Sequence, residues 1–559
     1  MSTIRRGLIC ATLSKAVTSI DSKNRENIQK QFEFIKQTIL ADNSLTNDEK
    51  TEAIRLCNKN CDREKIRRNE GTRRICENCN KKCLATSYCE YCVRNHLKGK
   101  FSSWSSGNND IDNLIQKCQS ETLNPNMITE WIPYNNLQKI EYLTKGGFAK
   151  IYRATWINGG YYEWDSENQQ LQRFVNQVVI LKELENIENA SQNWFEEAKS
   201  HLTISNKYTL IVQCYGLTQN PSNGNYMLVM DRMNINLREY LQQNNNQLIW
   251  KERIEIMHKI INAIYYIHKE NSIHRDLHSG NILYSQFSDN WCISDLGFCG
   301  PVDRLSTSIY GNLPYIAPEI INGKEYTFKS DIYSIGMLMW EVSVGLPPFM
   351  NHEHNYDLAL NIINGMRPKI ISEIPLKYKN LMEKCWDADP LKRPDIRTLS
   401  KKIKEIKSYY QNNPNELSQL KIKINEKTSY HTSSSEIFSS KIHKFENLPE
   451  PKNATEEQQE AFHSKLYDFN IPTNIDDFGR SSNKNNKRNS IVIEAGSTRL
   501  TGVFKKLRVN SKSVNIQNKY YENTIRQPQT CDIDDDDDYN NPNLHSEEQE
   551  ELEIPNDGF

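Results

Sequence analysis

One short polar string constrains this chain more than any other feature of its sequence. In IHRDLHSGNIL, Asp276 and Asn281 are five residues apart, and Asp295 of WCISDLG follows Asp276 by nineteen. A short turn between strands at this spacing can bring the three side chains together. A carboxylate can then accept or orient a hydroxyl proton, while an amide oxygen and a second carboxylate are hard ligands suited to Mg²⁺. The string predicts Asp276 as the proton acceptor and Asn281 and Asp295 as magnesium ligands.

Two weaker signals upstream fit the same chemistry. Gly146 and Gly147 in LTKGGFAKIYRATW are predicted to form a hairpin turn whose backbone can approach phosphate oxygens, because glycine has no Cβ. A turn without function is the simpler interpretation of two glycines. Lys182 lies in the apolar strand VVILKEL, and its predicted partner is Glu197 of NWFEEAKSHL, although Glu196 is adjacent. A Lys–Glu pair of this kind would hold the ammonium against the α- and β-phosphates of a nucleotide.

Taken together, these motifs resemble those of the eukaryotic protein kinases, in particular the tyrosine-kinase-like branch. The resemblance covers roughly half of the chain and extends to an APE triplet at 317–319 and to DIYSIG at Asp331. It implies an α+β, bilobal protein kinase fold with ATP bound between a sheet-rich small lobe and a helical large lobe. It also implies that Glu319 pairs with Arg393 and that Asp331 braces the catalytic loop.

The resemblance further implies a nucleotide site. YMLVMDRM would be the hinge, with Met230 at the gatekeeper position and the backbone of Asp231 and Met233 binding adenine. The residues assigned to ATP and its metal are Gly146, Gly147, Ala149, Ile151, Lys182, Met230, Asp231, Met233, Asn281 and Asp295.

Four positions depart from the family pattern. The first and third glycines of the usual loop are Thr144 and Ala149, His278 replaces a lysine common two residues after the catalytic aspartate, and Asn312 replaces a threonine. The catalytic residues Asp276, Lys182, Glu197, Arg275 and Asn281 are nevertheless present. We therefore expect an active kinase, with a pseudokinase scaffold that recruits partners as the alternative.

Substrate class and control are predicted from the same block. The HSG that follows HRD and the YxAPE ending favour serine and threonine over tyrosine, and dual specificity stays open. Arg275 precedes the catalytic aspartate, and in similar kinases such an arginine pairs with a phosphorylated activation segment. The candidate sites are Ser306, Thr307, Ser308 and Tyr310. We expect at least one of them to be phosphorylated in the active form, against an ordered loop that needs no modification.

A cysteine cluster precedes the kinase-like block. Cys76 and Cys79 form one CxxC pair, and Cys89 and Cys92 form another. Four thiolates at this spacing suit structural Zn²⁺, and the segment resembles a small zinc ribbon; buried thiols without metal are the alternative. Cys83 and His96 are spare donors that could replace one ligand, and Cys57 and Cys61 lie just upstream.

The predicted organisation has five parts. They are a helical region at 1–70, the cysteine module at 71–100, a connector at 101–136, the kinase domain at 137–410 and a largely disordered tail at 411–559. Phe32, Ile35 and Ile39 recur on one helical face, and LTNDEKTEAIRLC predicts a second short helix. Only 37% of the residues are hydrophobic, and the tail is too polar to bury a core.

Partners are predicted from charge and from a repeat. The net charge is −1, so we expect neither nucleic acid nor a membrane as partner, and we interpret Lys65, Arg67, Arg68, Arg73 and Arg74 as a solvated basic face. A zinc-dependent nucleic-acid binder is the rival interpretation. The related stretches SKIHKFENLPEPKN and SKLYDFNIPTN in the tail are either ligands for a docking partner or an accident of composition. With no long apolar run, a cytoplasmic location is predicted, with nuclear access left open.

Overall fold

The computed structural model describes residues 4–20, 27–145, 149–184, 193–286, 288–297, 299–301, 309–413, 415–416 and 440–464. Predictions for Gly146 and Gly147, for Ser306, Thr307 and Ser308, and for most of the tail lie outside the described residues. The chain divides into one unit that contains Met1–Gln459 and another at 460–522, of which residues 460–464 are described. Within the described ranges, no helix combines the length and the apolarity needed to cross a membrane.

A bundle of three helices forms the N-terminal region. The helices are α1 (Arg6–Thr18), α2 (Ile28–Ala41) and α3 (Asn47–Arg68). The predicted apolar face of α2 is correct, since Phe32, Ile35 and Ile39 are buried in the core of this bundle.

Helix α3 is longer than the short helix predicted from sequence. It begins as expected, where the Thr46 hydroxyl oxygen accepts a hydrogen bond from the Glu49 N–H and the Glu49 carboxylate accepts one from the Thr46 N–H. It continues to Arg68 because its polar last turns are buried and satisfy one another: the Glu64 carboxylate pairs with Arg67 and lies 3.2 Å from Arg63. The predicted solvated basic face is therefore wrong for Lys65 and Arg67, which are buried.

The cysteine module and the connector contain short elements. The module has the hairpin β1 (Arg74–Ile75) and β2 (Lys82–Cys83), followed by α4 (Glu90–Lys98). The connector contains α5 (Asn109–Ser120) and the strand β3 (Glu130–Trp131), which joins the sheet of the next domain. The sheet therefore begins before residue 137, because β3 pairs in parallel with a strand that lies far along the chain.

The small lobe is a six-stranded sheet in the order β3-β9-β10-β8-β5-β4. A separate hairpin, β6–β7, projects between β5 and β8 and packs against the cysteine module through Trp164. Helix α6 (Asn193–Ile204) packs against the sheet. The strands after β3 are β4 (Leu137–Lys145), β5 (Ala149–Trp156), β6 (Tyr161–Asp165), β7 (Gln170–Arg173), β8 (Gln177–Leu184), β9 (Cys214–Gln219) and β10 (Tyr226–Asp231).

The large lobe is mainly helical, as predicted. Its helices are α7 (Leu237–Asn244), α8 (Trp250–Lys269), α9 (Pro318–Ile321), α10 (Phe328–Val344), α11 (Tyr356–Ile363), α12 (Leu376–Cys385) and α13 (Ile396–Asn412). Its strands are β11 (Ile235–Asn236), β12 (Ser272–Ile273), β13 (Ile282–Ser285), β14 (Asn290–Ile293), β15 (Gly300–Pro301) and β16 (Ile309–Gly311). Helix α10 is buried along most of its length and forms the centre of the lobe, with α8 and α12 packed against it.

Part of the tail differs from the disorder predicted for it. Residues 441–443 form strand β17 (Lys441–His443), which pairs antiparallel with β16, and a helix follows at Glu456–Ser464. The sequence of this segment is as polar as the rest of the tail. Its order comes from backbone pairing and side-chain contacts with the large lobe, which composition alone does not reveal.

Candidate active site and metal centre

Lys182 lies inside the small-lobe sheet, opposite Ile151 of β5 and Leu228 of β10. Its Nζ atom is 2.6 Å from Glu197 Oε1 and 2.6 Å from Asp295 Oδ1. Burial alone would lower the pKa of Lys182, but the Asp295 and Glu197 carboxylates outweigh burial and raise the pKa above its usual value. The ammonium therefore stays charged and joins the sheet, helix α6 and the DLG motif.

Glu197 is the inward-facing acid of the two adjacent glutamates. Its side chain is 15% exposed, whereas that of Glu196 is 39% exposed and lies 3.5 Å from Lys199 on the helix surface. The phase of helix α6 thus selects the predicted partner of Lys182.

Asp276 is buried next to Asn281. The Asn281 Nδ2 atom donates to the backbone carbonyl of Asp276 at 2.9 Å, and the Asn281 carbonyl accepts from the Ser294 N–H at 2.8 Å. This second bond places Asn281 beside Asp295, because the two residues flank the paired strands β13 and β14. Burial and the negative charge of Asp295 raise the pKa of Asp276 to about 7. The structure therefore brings together Asp276, Asn281, Asp295 and Lys182.

Asp331 of α10 holds the loop that carries Asp276. Its carboxylate accepts hydrogen bonds from the backbone N–H groups of His274 at 2.8 Å and Arg275 at 3.0 Å, and it lies 2.8 Å from His268 Nε2. Arg275 itself adopts a left-handed backbone conformation, φ 69°, with its guanidinium over the ring of Tyr326. The buried carboxylate of Asp331 therefore fixes the conformation of the loop that carries Asp276.

Glu319 and Arg393 form a buried bidentate ion pair. The two guanidinium nitrogens Nη1 and Nη2 donate to Oε1 and Oε2 at 2.7 Å each. The pair joins the APE triplet to the loop before α13, as the resemblance implied.

The predicted nucleotide residues that the structure describes on β5, on β10 and just after β10 are Ala149, Ile151, Met230, Asp231 and Met233. Met230 is buried at the end of β10, in a hydrophobic cluster with residues of the small-lobe sheet and helix α6. Met233 packs against that cluster. The Asp231 N–H donates to the Gln213 carbonyl at 2.9 Å. Ala149, at the start of β5, is buried, and Ile151 is half-buried.

The arrangement agrees with comparisons to known proteins. Residues 137–403 match the family of protein tyrosine and serine/threonine kinases. The chain contains a protein kinase domain. Its relatives include a probable serine/threonine-protein kinase, roco5, of Dictyostelium discoideum, 28% identical over 51% of this chain and 10% of that protein. They also include the dual specificity protein kinase zakA of the same organism, 31% identical over 33% of this chain and 26% of that protein.

A third relative is the dual serine/threonine and tyrosine protein kinase of Mus musculus. It is 32% identical over 32% of this chain and 19% of that protein. The chain thus spans about a quarter or less of the length of these three relatives, and the similarity concerns the kinase domain.

Sequence reasoning missed two residues that shape the kinase site. His201 Nε2 accepts the Leu296 N–H at 3.1 Å, and burial lowers the pKa of His201 to about 3, so the ring is neutral. Its position four residues after Glu197, on the same helical face, was the available signal. A Cβ on Gly297 would come within 2.9 Å of Glu197 Oε2 and 3.1 Å of Asp295 Oδ1, so a side chain at the DLG glycine would displace the carboxylates that hold Lys182.

The four cysteines predicted as zinc ligands converge in the module before the kinase domain. Cys76 Sγ is 3.6 Å from Cys92 Sγ, Cys79 Sγ is 3.6 Å from Cys89 Sγ, and all four sulfurs lie within 4.8 Å of one another. A tetrahedral ion with Zn–S bonds of about 2.3 Å needs sulfurs about 3.8 Å apart, so the donor set fits zinc.

The spare donors are arranged differently. Cys83 lies near Cys89 and Glu90, and His96 packs edge-on against Trp164 with ring centroids 5.4 Å apart. Cys57 and Cys61 are buried in the core of the N-terminal bundle. The spatial grouping therefore favours the four-thiolate set over the alternatives with His96, Cys57 or Cys61.

Proposed function

We propose that the protein transfers the γ-phosphate of ATP to serine and threonine hydroxyls of protein substrates. The observation that carries this proposal is the buried lysine, Lys182, held 2.6 Å from the carboxylates of both Glu197 and Asp295. A kinase needs this ion pair and the DLG aspartate in place together, because phosphoryl transfer depends on positioning and charge stabilisation.

Each predicted residue receives a role. Lys182 would bind the α- and β-phosphates, Glu197 would position Lys182, and Asp276 would accept the proton of the attacking hydroxyl. Asn281 and Asp295 would hold Mg²⁺, which supplies positive charge to the phosphates when bound. Arg275 remains our candidate for binding a phosphorylated activation segment. Of the four candidate sites in that segment, Tyr310 is described, and its side chain is buried in β16.

The adenine pocket is proposed from the same region. Asp231 and Met233 would bind the base through their backbone, with Met230 behind it as gatekeeper. Gly147, Ala149 and Ile151 would cover the nucleotide from the small lobe, although Thr144 and Ala149 replace two glycines of the usual loop.

The pseudokinase alternative is not favoured. None of Lys182, Asp276, Asn281 and Asp295 is replaced, and the relatives named above are serine/threonine or dual-specificity kinases. Transfer to tyrosine in addition to serine and threonine is therefore part of the proposal that an experiment has to decide.

The cysteine module is proposed to bind one structural Zn²⁺ through Cys76, Cys79, Cys89 and Cys92. The ion would join the β1–β2 hairpin to the start of α4, in a segment with few apolar residues to hold it. Docking of partners by this module and by the tail, and a cytoplasmic location with nuclear access left open, remain our predictions.

The test of function is transfer of radiolabel from ATP and Mg²⁺ to the protein itself and to a generic protein substrate. Asp276→Asn is expected to abolish transfer, whereas Asp110→Asn, the same change on the exposed face of α5, is the matched control and should leave it unchanged. Phosphoamino-acid analysis of the product distinguishes serine and threonine from tyrosine. Equal transfer by wild type and Asp276→Asn would refute the assignment.

A further inference from the structure

The tail segment that forms β17 enters the catalytic cleft. Strand β17 pairs with β16 in the register Gly311–Lys441, Tyr310–Ile442 and Ile309–His443. Backbone pairing of this kind is how an extended peptide docks on an open strand edge. The register leaves Ser440, the residue just before the strand, beside Asp276.

Ser440 makes two hydrogen bonds with the catalytic loop. Its Oγ atom donates to Asp276 Oδ1 at 2.8 Å and lies 3.0 Å from His278 Nε2. His278 Nδ1 accepts from the Gly280 N–H at 3.0 Å, so the proton of the neutral ring is on Nε2 and points to Ser440. The Ser440 hydroxyl therefore donates a hydrogen bond to Asp276 and accepts one from His278. One lone pair of Oγ stays available for attack.

The rest of the segment is held on the large lobe. His443 is buried and its Nε2 lies 3.0 Å from the Gly311 carbonyl oxygen. Farther on, Asn453 Oδ1 accepts the Ala388 N–H and its Nδ2 donates to Asp387 Oδ1, both at 2.9 Å. These contacts fix where the chain runs and with it the position of Ser440.

Gly365 of the large lobe is in close contact with the tail segment at Ala454. Its φ is +97°, and a Cβ there would come within 2.2 Å of the Ala454 nitrogen. Gln459 adds a hydrogen bond between the two segments, because its Nε2 donates to the Gly365 carbonyl at 2.6 Å. The surface beneath residues 452–459 is therefore shaped to receive this segment.

From this geometry we propose that Ser440 is an intramolecular phosphorylation site, and that residues 440–443 occupy the peptide-substrate groove of the same chain while residues 452–459 dock on the large lobe outside it. The proposal rests on the proposed kinase function. In the reaction Ser440 Oγ forms a bond to the γ-phosphorus, and the bond from that phosphorus to the β–γ bridging oxygen breaks. The electron pair leaves with ADP, and the hydroxyl proton passes to Asp276.

Phosphorylation of Ser440 changes the charge beside Asp276. A phosphate adds about −1.5 to −2 charge, and it would face the carboxylates of Asp276 and Asp295. Repulsion then weakens docking of the segment, so that the groove becomes accessible to other protein substrates. His278, a departure from the family pattern, acts in this proposal as the residue that orients the acceptor hydroxyl.

The test is the time course of Ser440 phosphorylation in the full chain, followed by mass spectrometry after addition of ATP and Mg²⁺. The intramolecular step predicts a first-order rate constant that does not change over a hundredfold range of protein concentration. The adjacent Ser439 is the internal control, because Ser440 is the serine whose hydroxyl donates to Asp276. A rate proportional to protein concentration, or equal labelling of Ser439, would overturn the proposal.

A variant far from the cleft tests the docking path. Asn453→Ala removes two hydrogen bonds, each of which typically changes an equilibrium constant about fivefold. We expect Ser440 phosphorylation to slow about fivefold or more and transfer to a generic substrate to rise. Glu457→Ala, an exposed change in the same segment, is the matched control. No effect of Asn453→Ala on either rate would contradict the docking path.

Phosphorylation of the generic substrate distinguishes failure of the Ser440 proposal from failure of the proposed kinase function. If the protein phosphorylates it but leaves Ser440 unmodified, the inference about Ser440 fails and the kinase function stands. If neither is phosphorylated under any metal nucleotide condition, the proposed function itself fails.

Discussion

The Glu319–Arg393 pair allows a stability prediction worked from its geometry. In Glu319→Gln, one carboxylate oxygen becomes an amide NH₂ group that faces the guanidinium, so one of the two 2.7 Å hydrogen bonds and the charge attraction are lost. The Arg393 side chain is 0% exposed, so water cannot replace the lost partner.

The expected cost follows from two independent considerations. Hydrogen bonds to charged groups contribute about 1.5–3 kcal/mol each. Removal of one partner from a buried ion pair typically costs about 3–5 kcal/mol. A domain of this size loses about 2–4 °C of Tm per kcal/mol, so the ion-pair cost predicts a fall in Tm of roughly 6–20 °C.

Thermal unfolding followed by circular dichroism measures this effect, and a double-mutant cycle isolates the pair. Arg393→Met should cost at least as much as Glu319→Gln, because Arg393 also donates to the carbonyls of Asp387 and Lys329 at 2.8 Å. The double variant should cost clearly less than the sum of the two single variants.

The matched control is Glu405→Gln. Glu405 forms a surface pair with Lys402 at 2.8 Å with both side chains about half exposed, and such pairs contribute about 0–1 kcal/mol. Strictly additive single effects, or a Tm for Glu319→Gln equal to that of Glu405→Gln, would refute the reasoning that burial makes the first pair important.

Three further predictions follow from the site. Lys182→Met should reduce phosphoryl transfer by roughly 10²-fold or more at saturating ATP, because it removes the cation between two carboxylates; a rate within tenfold of wild type would contradict this. Burial alone would raise the pKa of Asp331, but its hydrogen bonds, first that from His268, hold the pKa below its usual value. Its stabilisation is therefore present above about pH 4 and is lost as pH falls below that, so acid unfolding of Asp331→Asn should be less steep than that of wild type. Removal of zinc by a chelator should release about one equivalent of metal and lower the Tm; metal analysis that finds none in fresh protein would exclude the zinc site.

Several site residues could be predicted because their information is local. Asp276 and Asn281 belong to one short loop, and Asp295 follows the β13–β14 hairpin that begins directly after Asn281, so spacing alone brings them close. The convergence of the four cysteines that we propose as zinc ligands could be predicted for the same reason, since two CxxC pairs separated by a short segment converge readily.

Other features could not be predicted, because they depend on contacts between distant segments. The neutral ring of His201, for example, depends on its hydrogen bond with the Leu296 amide, which lies far along the chain. The polar last turns of α3 looked exposed in sequence, yet Glu64 and Arg67 are buried because they satisfy each other's charge.

The sequence by itself determined the kinase fold and the residues that we propose as its catalytic groups, because residue type and spacing specify local loops and strands. Only the tertiary structure decided that a polar tail segment is ordered and that Ser440 meets Asp276. The physical reason is that β17 gains its hydrogen bonds from a strand more than a hundred residues away along the chain. Backbone pairing of that kind carries almost no signature in the side chains that form it.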